Sequence, residues 1–424
     1  MFESYFRKTI LSQRKHIYNK LPYIVALLFL PAIYFAIFPG KIIVISFICF
    51  GLISYIYFSN FRGLNIHDFD GEGSFVLLLL YNLITFIRGF FNVEVKSDLY
   101  ILLSNDLFVY FLIPFFIFLA DFDLLKRIWR LLCTFGLVLC LFFYFFPPGD
   151  ETMSFGHNIS FLTGVILCSP FIDKKYFVYF LIIAFFSVTY DLDRRSVTVG
   201  FLVSFLFVIS YKFFIKLYVR RILYVLTIII PIVLLLLGST GKFNVFKYIE
   251  SINLNVELSS NRQYTVDSRT SIYMDVFGEL FAQKKLIHGL GARGKTRTSL
   301  VENPNHDYWK IYVHGRSQTE SGMLNYFQYG GIIGFLVYSI FLLTCAYKAL
   351  FKSRNSFMII MGCFICFKFL YSFIEDPLTT NVYTFNLFIW LGLCLNKKMR
   401  TLSNKDMTNY LNTIFPKHKL LSFE

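Results

Sequence analysis

Apolar runs of about 20 residues, separated by short polar turns, recur along most of the chain; each is long enough to cross a bilayer core. They stop at about Ser239 and resume only after Glu320. Hydropathy predicts about twelve spans. They run Leu21–Phe38, Ile42–Ser59, Ser74–Val93, Tyr100–Ala120, Arg127–Phe146, Phe155–Ile172, Tyr176–Thr189, Val197–Ile215, Arg221–Leu237, Gly322–Tyr347, Ser356–Phe373 and Leu378–Leu395. A membrane barrel would alternate polar and apolar positions over shorter segments. The expected fold is all-α: a polytopic transmembrane helical bundle, with a large extracytoplasmic loop containing short amphipathic helices between spans 9 and 10. The chain divides into a basic N-terminus (1–20), spans 1–9 (21–238), the loop (239–320), spans 10–12 (321–395) and a tail (396–424). No small-residue cleavage site follows the polar start, so no removed signal peptide is expected.

Composition agrees with this class. Of 424 residues, 56% are hydrophobic, 20% aromatic and only 16% charged, against about 25% charged in soluble domains. Sidedness follows from lysine and arginine in the short loops. One set of loops carries Arg7, Lys8, Arg14, Lys15 and Lys20, then Lys126-Arg127, Lys174-Lys175, Lys212, Lys216, Arg220-Arg221, Lys348, Lys352, Arg354, Lys397-Lys398 and Arg400. The opposite short loops hold little beyond Lys41, Lys96, Arg194 and Arg195. Both termini are therefore expected in the cytoplasm and the long loop outside. Much of the +15 net charge is then positive-inside charge, and no nucleic-acid partner is needed to explain it. The cytoplasmic loops are too short for a nucleotide-binding domain. All eight cysteines fall in apolar runs; Cys363 and Cys366 lack a second ligand pair, so a zinc site is not expected.

Ionisable residues within or at the rim of spans are functional candidates by default. Arg88 sits near the outer end of the third span, where it could also snorkel to the interface. Arg194-Arg195 open the eighth span on the outside, against the positive-inside trend. A helix N-terminus presents free N–H donors, and with an arginine it makes a cradle for pyrophosphate. Arg269 begins a stretch to Phe281 with Ile272, Val276, Phe277 and Leu280 at helical spacing, which predicts an amphipathic helix on the outer membrane face. It leads into Leu286-Ile287-His288-Gly289-Leu290-Gly291-Ala292-Arg293-Gly294, a turn whose glycines would let backbone approach a ligand. Beyond it lie His306, His314 and Glu320, each able to accept a proton near neutral pH. No spacing matches a metal box, so neither a metal nor another cofactor is expected. Asp68-Phe69-Asp70 and Asp121-Phe122-Asp123 have the Asp-x-Asp form of nucleotide-sugar enzymes, but they fall in short cytoplasmic turns and are read as structural.

Taken in order, these elements resemble the O-antigen ligase and polymerase (Wzy/WaaL) superfamily. Arg195 followed by Ser196 and a small-residue span is similar to its Ser-Arg-small motif. Ser268-Arg269 leading to Gly289-Leu290-Gly291 resembles its Arg-to-Gly-x-Gly segment. Glu320-Ser321-Gly322-Met323-Leu324, then Tyr329-Gly330-Gly331-Ile332-Ile333-Gly334, resembles its loop exit. Where ligases commonly carry a histidine at that exit, this chain carries Glu320, which favours a polymerase.

The resemblance implies a glycosyltransferase of the bacterial inner membrane that acts on undecaprenyl-pyrophosphate-linked glycans, with a chain-length regulator as a protein partner. Arg195, Arg269 and Arg88 would hold the pyrophosphate, and Glu320, His314 or His306 would deprotonate the acceptor. The product would be an O-antigen, capsule or exopolysaccharide chain. The nearest alternative is an O-antigen ligase acting on lipid A-core. A non-enzyme alternative is a repeat-unit flippase, which would call for inverted repeats or broken helices at the midplane.

Overall fold

The computed structural model describes residues 2–37, 42–145, 160–190, 195–239, 268–297, 315–319, 321–374 and 378–415. Every regular element among them is helical; the extended backbone contributes only two isolated bridges, Phe69–Asn396 and Thr296–Arg316. A helix satisfies its own N–H and C=O groups, which is what a segment in hydrocarbon requires. Three stretches are long and apolar enough to cross a membrane among the described residues: Glu72–Asn92, Lys96–Ala120 and Gly322–Phe351. Shorter or partly described helices occupy the other apolar runs, including Phe2–Ile37, Ile42–Ser59, Phe122–Phe145, Lys174–Tyr190, Arg195–Ile209, Leu217–Ser239, Ser356–Tyr371 and Val382–Leu395.

The core forms where these helices meet. Trp129, Trp390, Tyr57 and Tyr329 are among its largest fully buried side chains. Close approach is set by small residues, as is common between membrane helices. A Cβ on Gly164 would lie 2.2 Å from the Trp390 indole, and one on Gly392 would lie 2.1 Å from the Ile117 carbonyl oxygen. The seven described cysteines are free and buried.

Two helices depart from the regular form that hydropathy predicts. Lys96–Ala120 starts as α-helix, widens into π-type turns over Leu102–Asp106 and Phe108–Leu112, and tightens to a 3-10 helix from Ile113, with Pro114 in its first turn. Gly322–Phe351 is broken at Gly331, whose φ of 61° and ψ of −155° leave helical space.

The bundle has two distinguishable polar ends. One is closed by ion pairs: Arg14 holds Asp121 at 2.7 Å and Asp123 at 3.4 Å, while Asp70 takes Arg400 and lies 3.8 Å from Lys348. Both Asp-x-Asp segments therefore hold helix ends together. The amphipathic Asn404–Ile414 helix docks here, and Arg130 Nε donates to the Ile414 carbonyl at 2.8 Å. A crevice lined by Tyr18, Asp123, Lys126 and Tyr410 also opens at this end, away from every residue assigned above to chemistry. The opposite end carries the described parts of the long loop.

Candidate functional site

The loop end is organised by the break at Gly331. Breaking a helix orphans carbonyls on one side and N–H groups on the other. Both sets are taken up by the Leu286–Gly291 turn. Leu290 N donates to Gln328 O at 2.9 Å and Gly291 N to Tyr329 O at 2.8 Å. On the other side, Ile332 N donates to Leu286 O at 3.0 Å and Ile333 N to Ile287 O at 3.1 Å. Tyr81 adds a hydroxyl bond to Gly330 O at 2.5 Å. The two glycine-rich motifs are thus halves of one interlock. A Cβ on Gly289 would sit 2.4 Å from Gly331 N, and one on Gly331 would sit 2.5 Å from Gly289 N. The glycines let backbone approach backbone here, where the sequence reading had them approach a ligand.

Arg88 belongs to this interlock. Its guanidinium donates to His288 O at 2.5 Å and Gly289 O at 2.6 Å. Asn92, one turn on, donates to Leu290 O and Ala292 O, both at 2.9 Å. Neither partner is an anion, so Arg88 positions the turn.

Behind the turn, Arg293 and Lys295 meet carboxylates of the neighbouring span. Arg293 is 4% exposed and lies 4.0 Å from Asp106, itself 1% exposed. The facing atoms, Arg293 Nε and Asp106 Oδ2, have no hydrogen-bond partner among the described residues; Arg293 also donates to Ser317 Oγ. Asp106 closes the first π-type segment, a geometry frequent at functional sites. Lys295 holds Glu94 at 2.6 Å and Asp98 at 3.1 Å. Burial alone would lower the Lys295 ammonium pKa, but the two carboxylates outweigh it and the pKa is raised.

These contacts fix a neck for the loop. Thr296 and Arg316 exchange backbone bonds of 3.0 and 2.8 Å. Gln328 Nε2 donates to Gly294 O at 2.7 Å and Arg316 O at 3.1 Å, and Tyr329 OH donates to Ser317 O at 2.5 Å. Asn325, fully buried, accepts from Thr319 N at 2.6 Å and donates to Thr319 O at 3.1 Å. Ser321 caps the next helix by accepting from Leu324 N, while its hydroxyl donates to Ser372 O at 2.7 Å. His306, His314 and Glu320 lie outside the described residues.

The helix Ser268–Ala282 has the predicted amphipathic stripe, and protein covers it. Ile272, Val276 and Leu280 pack with Leu290, Leu324 and Phe327. Tyr273 OH donates to Phe373 O at 2.5 Å. Ser321 Oγ reaches the same Phe373 carbonyl at 3.2 Å. Tyr273, one turn after Arg269, and Ser321, next in sequence to Glu320, therefore share one carbonyl just beyond the end of the Ser356–Tyr371 helix.

The Arg195–Ile209 helix is another neighbour of this element. It packs on Ser356–Tyr371, and just beyond its far end Tyr211 stacks edge-on with Phe171, which in turn meets Phe357. At about 1.5 Å per residue the two helices are of similar length. The side chains of Arg195 and Arg269 lie outside the described part.

Sequence reasoning passed over Asp106, Asn325, Gln328 and Lys368, all polar residues inside predicted spans. That position alone was the signal that could have found them.

The chain matches no protein-family model, no curated protein and no solved structure.

Proposed function

We propose that this chain is a polysaccharide polymerase of a bacterial inner membrane, with about twelve spans, cytoplasmic termini and the long loop outside. It would transfer a growing glycan from undecaprenyl pyrophosphate to an undecaprenyl-pyrophosphate-linked repeat unit. The observation that supports the reading is that both described flanks of the long loop, through Tyr273 OH and Ser321 Oγ, are tied to the Phe373 carbonyl at one end of the Ser356–Tyr371 helix.

In this reaction the acceptor hydroxyl oxygen attacks the donor anomeric carbon. The bond from that carbon to the pyrophosphate oxygen breaks, and the configuration inverts. The hydroxyl proton passes to a base among Glu320, His314 and His306. The leaving pyrophosphate keeps the electron pair, so guanidinium groups stabilise the charge that develops on it. Arg195 and Arg269 supply those groups, while Arg88 holds the turn beside them.

Purified protein supplied with a defined lipid-linked repeat should build polymer. Arg195→Ala and Arg269→Ala should abolish long chains at normal expression, with partial recovery for the lysine variants. Long chains from both alanine variants would refute the assignment. Transfer to lipid A-core without polymerisation would identify a ligase.

A further inference from the structure

The span Gly322–Phe351 changes its surroundings at its break. Every residue from Gly322 to Gly331 is buried by protein. Beyond the break, Ile332, Ile333, Leu336 and Ile340 are exposed at helical spacing, an apolar face of the kind that meets a membrane. From Ile332 to Phe351 the helix runs about 30 Å, enough to cross the hydrocarbon core by itself. The break then lies near the bilayer surface at the loop end. The loop meets that surface with apolar side chains. Ile333 N donates to Ile287 O at 3.1 Å, and Ile287, 62% exposed, continues the stripe onto the Leu286–Gly291 turn. In the helix Ser268–Ala282, protein covers the stripe of Ile272, Val276 and Leu280. Met274 and Phe281, two turns apart on the opposite face, are 51% and 62% exposed, and Gly278 between them has open space at its Cβ position. The helix is therefore apolar on two faces, with Asp275 and Glu279 between them. A helix lying between protein and water needs only one such face.

The end of this helix adds charge beside the second face. Lys285 N donates to Leu280 O at 2.8 Å and Lys284 N to Phe281 O at 3.0 Å, a closure whose left-handed position is usually glycine. Here Lys284 occupies it, exposed, with a φ of 57°. We propose that this helix and its exit turn enter the leaflet at the loop end, with Met274, Phe281 and Ile287 among the acyl chains and Lys284 and Lys285 on the phosphates of anionic lipids. The occupant is lipid because the apolar patch runs on, through the bond from Ile333 to Ile287, into the exposed stripe of a membrane-crossing helix. Lysine stems lie along apolar surface while the ammonium stays at head-group level, and anionic lipid attracts a basic rim of this kind. The interlock around Gly331 is then held at head-group depth. The inference needs Gly322–Phe351 to cross the bilayer, as in the function proposed above, and it does not need polymerase chemistry.

The test is tryptophan emission of the full-length protein in lipid nanodiscs, read as the difference from wild type. Phe281→Trp and Ile287→Trp each add an indole at an exposed position, and Met274→Trp repeats the measurement should either variant fail to fold. Phosphatidylcholine brominated on its acyl chains should quench most of the added emission, and aqueous iodide should quench little of it. Brominated phosphatidylglycerol at the same mole fraction should quench more strongly still, and adding Lys284→Gln with Lys285→Gln should remove that excess. Leu336→Trp, on the span about 7 Å past the break, is the reference. If bromolipid fails to quench even Leu336→Trp, the membrane placement of the span falls and this proposal falls with it. If Leu336→Trp is quenched and the loop positions are not, this proposal alone is overturned. Quenching by iodide would then place the face in water, and protection from both quenchers would place another segment of this chain or a second copy on it. A phosphatidylglycerol excess that is absent, or that survives loss of both lysines, refutes the lysine contact.

Discussion

Gly331→Ala probes the interlock most directly. Its φ of 61° and ψ of −155° lie in a region essentially restricted to glycine, so a side chain there costs about 1–3 kcal/mol in backbone strain. The new Cβ would also stand 2.5 Å from Gly289 N, Ile287 C and Ile287 O. These are backbone atoms and cannot swing aside, so the turn must withdraw. Withdrawal breaks at least the bonds from Ile332 N to Leu286 O and from Ile333 N to Ile287 O, worth roughly 0.5–1.5 kcal/mol each. Together the expected loss is about 2–6 kcal/mol. Denaturant unfolding in mixed micelles measures the loss, and hydrogen exchange at the amides of Leu290, Gly291, Ile332 and Ile333 locates it. Gly278→Ala is the control: no atom lies within 4 Å of its added Cβ, and alanine in mid-helix should gain about 0.5–1 kcal/mol. If Gly331→Ala unfolds with wild type and those four amides keep their protection, the interlock is not what holds the loop end.

Asn325→Leu leaves the buried Thr319 N–H without its 2.6 Å acceptor, so a loss of about 1–3 kcal/mol is expected; unfolding within 0.5 kcal/mol of wild type would contradict it. The Lys295 pKa is raised in the folded protein, so its stabilisation is complete below the unfolded value of about 10.4 and is lost as pH rises through the folded one. The midpoint difference between wild type and Lys295→Met should hold constant from about pH 7 to 10 and shrink above; a difference that instead disappears on moving from pH 10 to 7 would reverse the sign of this linkage.

Hydropathy gave the helical class, because apolar backbone in lipid must satisfy itself; of its twelve spans, three stretches among the described residues are long and apolar enough to cross a membrane. It located their ends less well. Phe2–Ile37 begins far ahead of Leu21, and this polar extension carries Arg14 to Asp121 and Gly63. Window averages also hide single polar residues, which is why Asp106, Gln328 and Lys368 disappeared into apolar runs. The break at Gly331 was hidden for a different reason. Tyr329–Gly334 reads as uninterrupted apolar sequence, and what breaks the helix is a turn some forty residues away in the chain that supplies the missing hydrogen-bond partners. Both glycine motifs could be read from the sequence, but their mutual contact could not, since no local pattern encodes which backbone a glycine admits.

The arginines sort by the helix ends they serve, and the sorting bears on the site. Arg130 donates to Ile414 O and Arg220 to Leu350 O, each a carbonyl at a helix C-terminal end. There a cation is favoured by both the macrodipole and the unpaired carbonyls. Arg195 is the first residue of its helix and Arg269 the second of its own, so each stands where the macrodipole disfavours a cation by about 0.3–1 kcal/mol. In the proposed function a bound anion would offset that cost at both positions. In the absence of substrate, Arg195→Ala and Arg269→Ala should therefore unfold no more easily than wild type, and up to about 1 kcal/mol less easily. Farnesyl pyrophosphate should raise the unfolding midpoint of wild type and not that of either variant. A loss of more than about 1 kcal/mol in the substrate-free variants would mean that these arginines hold the fold together, as the carbonyl contacts of Arg130 and Arg220 do, and the proposed anion site would lose its two principal groups.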